Sequence, residues 1–103
     1  MADTILWGCV NGDGTVHSGS GFTVSRSATG TYRISYDTPF SASPAVVLTQ
    51  NYKLWDDFGY GGGDTRTGCL LVASDATQCK VVTGDENGVH TNRNFSFLAI
   101  GPE

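Results

Sequence analysis

A short run, Tyr32-Arg33-Ile34-Ser35-Tyr36, decides the fold class of this chain. Its apolar residues fall at every second position, as a half-buried β-strand requires, and it is too short to be an ordinary helix. Three more strand-like runs follow, with no helical stretch between them: Ala45-Val46-Val47-Leu48, Gly68-Cys69-Leu70-Leu71-Val72 and Phe95-Ser96-Phe97-Leu98-Ala99-Ile100. The sequence therefore predicts an all-β protein.

The rest of the chain adds further strands and tight turns. Residues 5–10 alternate between two faces and end at Asn11-Gly12-Asp13-Gly14, whose glycines suit a hairpin turn. Residues 15–26 are predicted as one bulged strand, broken by Gly19 and Gly21. The remaining strands are predicted at residues 45–52, 66–74, 78–83 and 94–101. Seven or so strands with short turns predict a small antiparallel β-sandwich, jelly-roll-like, or a six- to seven-stranded barrel-like fold.

The strand pattern also predicts which side chains form the core. A shift of one residue in register would turn a whole apolar set towards water, so the buried face of each strand is strongly specified. The side chains expected on buried faces are Tyr32, Ile34, Tyr36, Val47, Leu71, Phe97 and Ile100.

Length and composition predict one small domain, residues 1–103, that gains from self-association. A domain of this size buries only about 60 to 65 per cent of its unfolded surface, so assembly into an oligomer would add stability. The formal net charge is -4, and the six Lys and Arg residues are not clustered, which excludes nucleic acid and anionic membranes as expected partners. The N-terminus has no basic segment followed by an apolar core, and no apolar run is long enough to span a membrane, so a soluble chain without a secretory signal is expected.

The three cysteines leave two interpretations open. Cys9, Cys69 and Cys79 cannot all pair within one chain, and they lack the short paired spacing of a zinc site. They are either buried free thiols or include a disulfide between Cys69 and Cys79 on neighbouring strands.

Several of the strand runs, taken in order, resemble the H-type lectin module. The likeness is carried by residues 29–36, Pro39-Phe40, residues 43–48, residues 68–72 and the closing run at 95–102. In that family a strand leads to a PF..PP.V bend, a polar loop, a GF.V strand and a closing W.A.G strand; Phe97 stands where those lectins usually have Trp. Residues 12–15 and 19–24 also resemble the β-rich end domains of bacterial and phage fibre proteins. The resemblance implies an antiparallel sandwich that assembles as a trimer or hexamer and binds a glycan near subunit boundaries.

Two connections are longer than hairpin turns, residues 53–65 and 84–93, and long loops in compact domains are often functional. A sugar site needs an apolar plate for the C–H face of the ring and oriented polar groups for its hydroxyls. The first loop offers both, and the second loop offers a second wall. The expected ligand-binding residues are Trp55, Asp56, Asp57, Tyr60, Asp64, Arg66, His90, Asn92 and Arg93. The alternative is that Trp55 and Phe58 anchor the loop or fill a subunit contact, and that the second loop is a solvated turn.

Metal and catalytic chemistry are not expected. Asn11-Gly12-Asp13-Gly14 and Asp56-Asp57 lack the alternating oxygen ligands and distal Glu of a calcium loop. His17 and His90 are the only histidines, and no Ser or Cys has the setting of a nucleophile elbow. The two leading hypotheses are therefore a carbohydrate-binding module without a cofactor and a structural trimerisation or fibre-tip domain that binds no sugar.

Overall fold

The computed structural model describes residues 2–103 and contains eight antiparallel β-strands in two four-stranded sheets. No helix is present in these residues, and so none that is long and apolar enough to cross a membrane. The strands are β1 (Asp3–Val10), β2 (Val16–Gly19), β3 (Phe22–Ala28), β4 (Thr31–Tyr36), β5 (Ala45–Asn51), β6 (Gly68–Ser74), β7 (Gln78–Gly84) and β8 (Asn94–Pro102). The predicted all-β class is confirmed, and the two sheets form a small β-sandwich.

The strand order shows how the chain moves between the two layers. Sheet I has the order β2-β1-β8-β5 and sheet II has the order β3-β4-β7-β6. Three hairpins, β1–β2, β3–β4 and β6–β7, stay within one sheet, while the other connections cross from one sheet to the other. The strand count exceeds the six or seven expected, because residues 15–26 form two strands rather than one.

The break at residues 20–21 corrects the single strand predicted there. Gly19 has a φ of 100° and Gly21 a φ of 93°, in the left-handed region that other residues rarely adopt. A Cβ on Gly19 would lie 2.6 Å from the carbonyl oxygen of Trp7 on the neighbouring strand. These two glycines let the chain leave sheet I after β2 and enter sheet II at β3.

The core lies between the two sheets and is rich in aromatic side chains. Phe22 and Phe97 meet edge to face with ring centroids 4.8 Å apart, and the rings of Tyr32 and Phe95 lie 5.1 Å apart. The amide nitrogen of Gln50 bridges the sheets, donating to the carbonyl oxygens of Gly68 at 2.6 Å and Gly84 at 3.0 Å. The buried hydrophobic residues are Val10, Phe22, Tyr32, Ile34, Tyr36, Phe40, Cys79, Val81, Phe95, Phe97 and Ala99.

The predicted core is right at five positions and wrong at two. Tyr32, Ile34, Tyr36 and Phe97 are buried, and Leu71 is half-buried and packs against the core; the other two predicted core residues face outwards. Val47 is 58% exposed and Ile100 is 37% exposed.

The inward space beside β5 and β8 explains why these two predictions are wrong. Gly101 faces inwards, where a Cβ would lie 3.0 Å from Phe40 and 3.0 Å from Pro44. A larger side chain would crowd those two rings at position 101, so Gly101 turns inwards and, by the alternation along the strand, Ile100 turns outwards. Ala45 pairs with Ile100, which fixes Val46 inwards and Val47 outwards.

The cysteines are all free thiols in the structure. Cys69 lies opposite Thr83 and Cys79 lies opposite Ser74, so the two are not cross-strand partners. Cys79 is buried. Cys69 is half-buried, and its own burial raises the pKa of its thiol to about 12. Of the two interpretations, the structure has the free thiols.

Candidate functional site

The long loops gather at one end of the sandwich. Val10 pairs with Phe95, and Asn51 pairs with Asn94. These pairs bring the β1–β2 turn, the β5–β6 connection and the β7–β8 connection to the same end of the strands of sheet I. We call this end of the sandwich the loop end. Both loops predicted to carry the ligand site lie there.

Trp55 is the anchor of the β5–β6 connection. Its indole nitrogen donates a 2.8 Å hydrogen bond to the side-chain oxygen of Asn11, and its ring stacks on His17 with centroids 4.7 Å apart and planes 13° apart. Asn94 adds a 2.9 Å hydrogen bond from its side-chain nitrogen to the carbonyl oxygen of Lys53. One face of the indole is therefore covered by His17, which favours the anchoring role over a free stacking plate.

A cleft of about 250 Å³ opens within the same connection, and four of the expected ligand-binding residues line it. We call it the loop cleft. It is lined by Asn51, Tyr52, Lys53, Leu54, Trp55, Asp56, Asp57, Phe58, Tyr60 and Gly62. The loop cleft thus brings together Trp55, Asp56, Asp57 and Tyr60, and their role in ligand binding stays a prediction.

Tyr60 is held in place by its neighbours and is 43% exposed, with the Lys53 ammonium 5.4 Å from its ring centroid. It lies against Tyr52 with ring centroids 5.9 Å apart, and the Lys53 ammonium donates to its hydroxyl at 3.2 Å. A Cβ on Gly62 would clash with the Tyr60 ring and would lie 3.0 Å from Tyr52. The glycine at position 62 is therefore required for this arrangement of the two tyrosines.

Arg93 links the second loop to the back of the loop cleft. Its guanidinium lies 4.9 Å from the Tyr52 ring centroid, and its Nη1 donates to the carbonyl oxygen of Tyr52 at 3.4 Å. Its Nε is buried and has no hydrogen-bond partner within residues 2–103. Arg93 therefore supports the loop cleft through Tyr52. Tyr52 is not among the expected ligand-binding residues, because it falls at the end of the strand predicted at residues 45–52.

The other expected ligand-binding residues lie outside the loop cleft. Asp64 and Arg66 form a bidentate ion pair, with Nε–Oδ1 at 3.0 Å and Nη2–Oδ2 at 2.9 Å, which lowers the pKa of Asp64 below its ordinary value and raises that of Arg66. Arg66 and His90 line a separate, more open depression of about 370 Å³ along β6 and β7. The side-chain oxygen of Asn92 accepts a 2.7 Å hydrogen bond from the Gly30 amide, a contact that joins two loops.

Carboxylates at the ends of the sandwich mostly close turns. Asp85 accepts hydrogen bonds from the Asn87 amide at 2.9 Å and the Val89 amide at 3.0 Å, and these bonds lower its pKa. Asp13 accepts from the hydroxyl and the amide of Thr15, which lowers its pKa in the same way. Within residues 2–103 no group of three or more His, Cys, Asp or Glu side chains is placed to hold a metal ion.

The chain matches no known family, no curated protein and no solved structure. The resemblance to H-type lectins therefore stays a prediction that rests on the sequence runs quoted above.

Proposed function

We propose that this protein is a carbohydrate-binding, lectin-like module that binds a sugar ring in the loop cleft and acts as a homo-oligomer. The observation that carries the proposal is the pairing, in one cleft, of an exposed tyrosine with two carboxylates and an ammonium group. An aromatic face packs against the C–H groups of a sugar, carboxylates accept hydrogen bonds from its hydroxyls, and an ammonium donates to its oxygens.

The roles divide among the lining residues. Tyr60 supplies the ring face, with Tyr52 behind it. Asp57 holds the Gly59 amide through one carboxylate oxygen at 3.1 Å and has a second oxygen for a ligand hydroxyl. Asp56 and Lys53 supply a further acceptor and a donor. Trp55 holds the loop in place through its contacts with Asn11 and His17 and does not need to touch the sugar.

The size of the loop cleft indicates a small ligand. Its volume of about 250 Å³ lies below the roughly 300 Å³ at the lower end of pockets for drug-sized ligands. One monosaccharide ring, at the end of a glycan chain, suits this space better than an extended oligosaccharide. The proposal is for binding without bond cleavage.

A glycan array followed by titration calorimetry on the best glycan tests the proposal. Asp57→Asn keeps an oxygen that can hold the Gly59 amide but removes the charge, and we expect affinity to fall at least about tenfold, the loss typical of a charge-assisted hydrogen bond. Tyr60→Ala should weaken binding by a similar factor. Val89→Ser, an exposed position at the tip of the second loop, is the matched control and should bind as the wild type does.

Two results would overturn the proposal. One is an array on which no glycan binds above background. The other is unchanged affinity in both Asp57→Asn and Tyr60→Ala; if Arg66→Ala or His90→Ala weakens binding instead, the ligand lies in the depression along β6 and β7.

The second candidate function is a structural trimerisation or fibre-tip domain that binds no sugar. A specific observation favours it: sheet I exposes Ile5, Trp7 and Val47 on the side away from the core. An empty glycan array together with a stable oligomer would put this candidate first.

A further inference from the structure

The outward side of sheet I carries two complete cross-strand rows of apolar residues. Ile5, Ile100 and Ala45 pair across β1, β8 and β5, and Trp7, Leu98 and Val47 form the next row. Ile5 is 63% exposed, Trp7 is 52% exposed and Val47 is 58% exposed. We call the outward side of β1, β8 and β5 the neutral face.

Charge is almost absent from the neutral face. Nine of the ten acidic residues lie in turns, loops or the C-terminal residue, and Asp3, the first residue of β1, is the only acid in a strand. No Lys or Arg lies in any strand of sheet I, whereas sheet II carries Arg33 opposite Lys80. Ordinary solvent-facing sheet surfaces alternate apolar residues inwards with polar residues outwards, and sheet I departs from that pattern at its centre.

The dimensions of the neutral face fit a modest protein interface. Three strands about 4.8 Å apart, with a rise of about 3.4 Å for each of the eight residues of β1, give a flat footprint of about 14 by 27 Å. The projected area of the whole face is therefore about 380 Å², about half of the roughly 800 Å² that each partner contributes to a standard interface. Because side chains protrude from the sheet, the solvent-accessible area of the face is larger than this flat projection.

We propose that the neutral face packs against a second copy of this chain, either on its neutral face or on the surface directly beside that face. A surface that meets its own copy brings like groups together, so charges on it would repel, and this face has almost none. An anionic membrane is a poor occupant, because the protein has a net charge of -4 and sheet I has no basic residue to attract lipid headgroups. The proposal rests on the homo-oligomer part of the proposed function and not on sugar binding, since the loop cleft lies at one end of the sandwich and the neutral face lies on its side.

Two matched lysine substitutions test the assignment. Val47→Lys places a charge on β5, the edge strand of sheet I, and Leu70→Lys places one on β6, the edge strand of sheet II, where Leu70 is 62% exposed. We expect sedimentation equilibrium at micromolar concentration to give the wild type and Leu70→Lys a mass that is a multiple of 10.9 kDa, and Val47→Lys the monomer mass with an unchanged circular dichroism spectrum. If Val47→Lys fails to fold, Ile5→Lys replaces it.

The thiols provide a second measurement on the unmodified protein. Cys9 lies on the neutral face in the row of Ser96 and Thr49, whereas Cys69 and Cys79 belong to the interior. Cys9 should react with an alkylating reagent several times more slowly in the assembled wild type than in Val47→Lys, with the two interior thiols equally slow in both.

The proposal is overturned if the wild type is a monomer under these conditions. It is also overturned if Leu70→Lys dissociates the assembly as readily as Val47→Lys does, or if both Val47→Lys and Ile5→Lys keep the wild-type mass. Because sugar binding is measured separately on the array, loss of assembly and failure of the carbohydrate proposal are distinguishable.

Discussion

Gly8→Ala tests the packing of the two sheets at a single atom. Gly8 is buried in the middle of β1, where an added Cβ would overlap the edge of the Phe22 ring and lie 2.8 Å from Phe97. Its backbone is outside the left-handed region, so alanine is compatible with the backbone and the loss of stability in the folded state comes from packing.

The size of the effect follows from three contributions. Overpacking a filled core costs about 1–3 kcal/mol, and disturbing an edge-to-face aromatic pair costs about 0.5–1.5 kcal/mol. Replacing glycine by alanine restores about 0.4–1 kcal/mol by restricting the unfolded chain. The free energy of unfolding should therefore fall by about 2 kcal/mol, which for a domain of this size lowers the melting temperature by about 10 °C.

Urea denaturation at a fixed protein concentration measures this effect, because assembly would otherwise shift the apparent stability. Gly68→Ala is the control: Gly68 begins β6, is not in the left-handed region, and has open space around an added Cβ. We expect the control to be neutral or slightly more stable than the wild type. If Gly8→Ala is as stable as Gly68→Ala, the Phe22 ring does not lie over β1 and the described packing of sheet I on sheet II is wrong.

Three further predictions address the core, the anchor and a turn. Ile34→Ala should lower the free energy of unfolding by about 2–4 kcal/mol, because Ile34 is fully buried between the sheets; a change within error in the same urea experiment would mean that its side chain is not in the core. Trp55→Phe removes the indole donor to Asn11 but keeps a ring against His17, so the Phe58 and Tyr60 amides should exchange faster while global stability falls by only about 1 kcal/mol; unchanged exchange would count against the anchoring role. The lowered pKa of Asp85 means that its turn contributes fully above the ordinary carboxyl pKa of 3.8 and loses that contribution as the pH falls through the lower folded-state value; an NMR titration that places Asp85 at or above 3.8 would contradict this.

Local sequence patterns predicted the strands well where one face of a strand is apolar and the other is not. Residues 32–36 alternate cleanly, and the buried Tyr32, Ile34 and Tyr36 confirm the alternation. The same rule gave the wrong face at residues 45–48, where Ala45-Val46-Val47-Leu48 is apolar on both faces. There the direction is set by which residues fit beneath Phe40 and Pro44, a contact between segments that are distant in the sequence.

Sheet membership was harder to predict than strand position. The glycines at positions 19 and 21 indicated a break, but a bulge and a crossover leave the same local signature. Only the pairing of Gly19 with Gly8 and of Phe22 with Tyr36 places the two halves in different sheets.

The sequence indicated the loop that lines the cleft. It could not indicate which side chains in that loop are free for a ligand, because that depends on contacts between distant segments. Glycines, aromatics and carboxylates concentrated in residues 53–65 indicated a ligand site, and four of the nine expected residues do line one cleft. The anchoring of Trp55 on Asn11 and His17 depends on a turn about forty residues earlier in the chain, which no local pattern reveals. The pairing of Asp64 with Arg66 removes both from the set of free ligand groups.

The two proposals assign sugar binding and self-association to different parts of the same sandwich. These two parts differ in how many charged side chains they carry. Most charged side chains lie in the turns and loops that connect the strands, as those of the loop cleft do, while the neutral face runs along the side of sheet I. Assembly through the side leaves the loop end of every copy open to solvent. The direction of packing then decides what the assembly can bind: parallel copies present their clefts at one end, which favours multivalent binding to one surface, and antiparallel copies present clefts at opposite ends, which favours bridging two surfaces. A cyclic trimer, as the resemblance to H-type lectins implies, requires the parallel arrangement, because a threefold axis keeps all three copies pointing the same way.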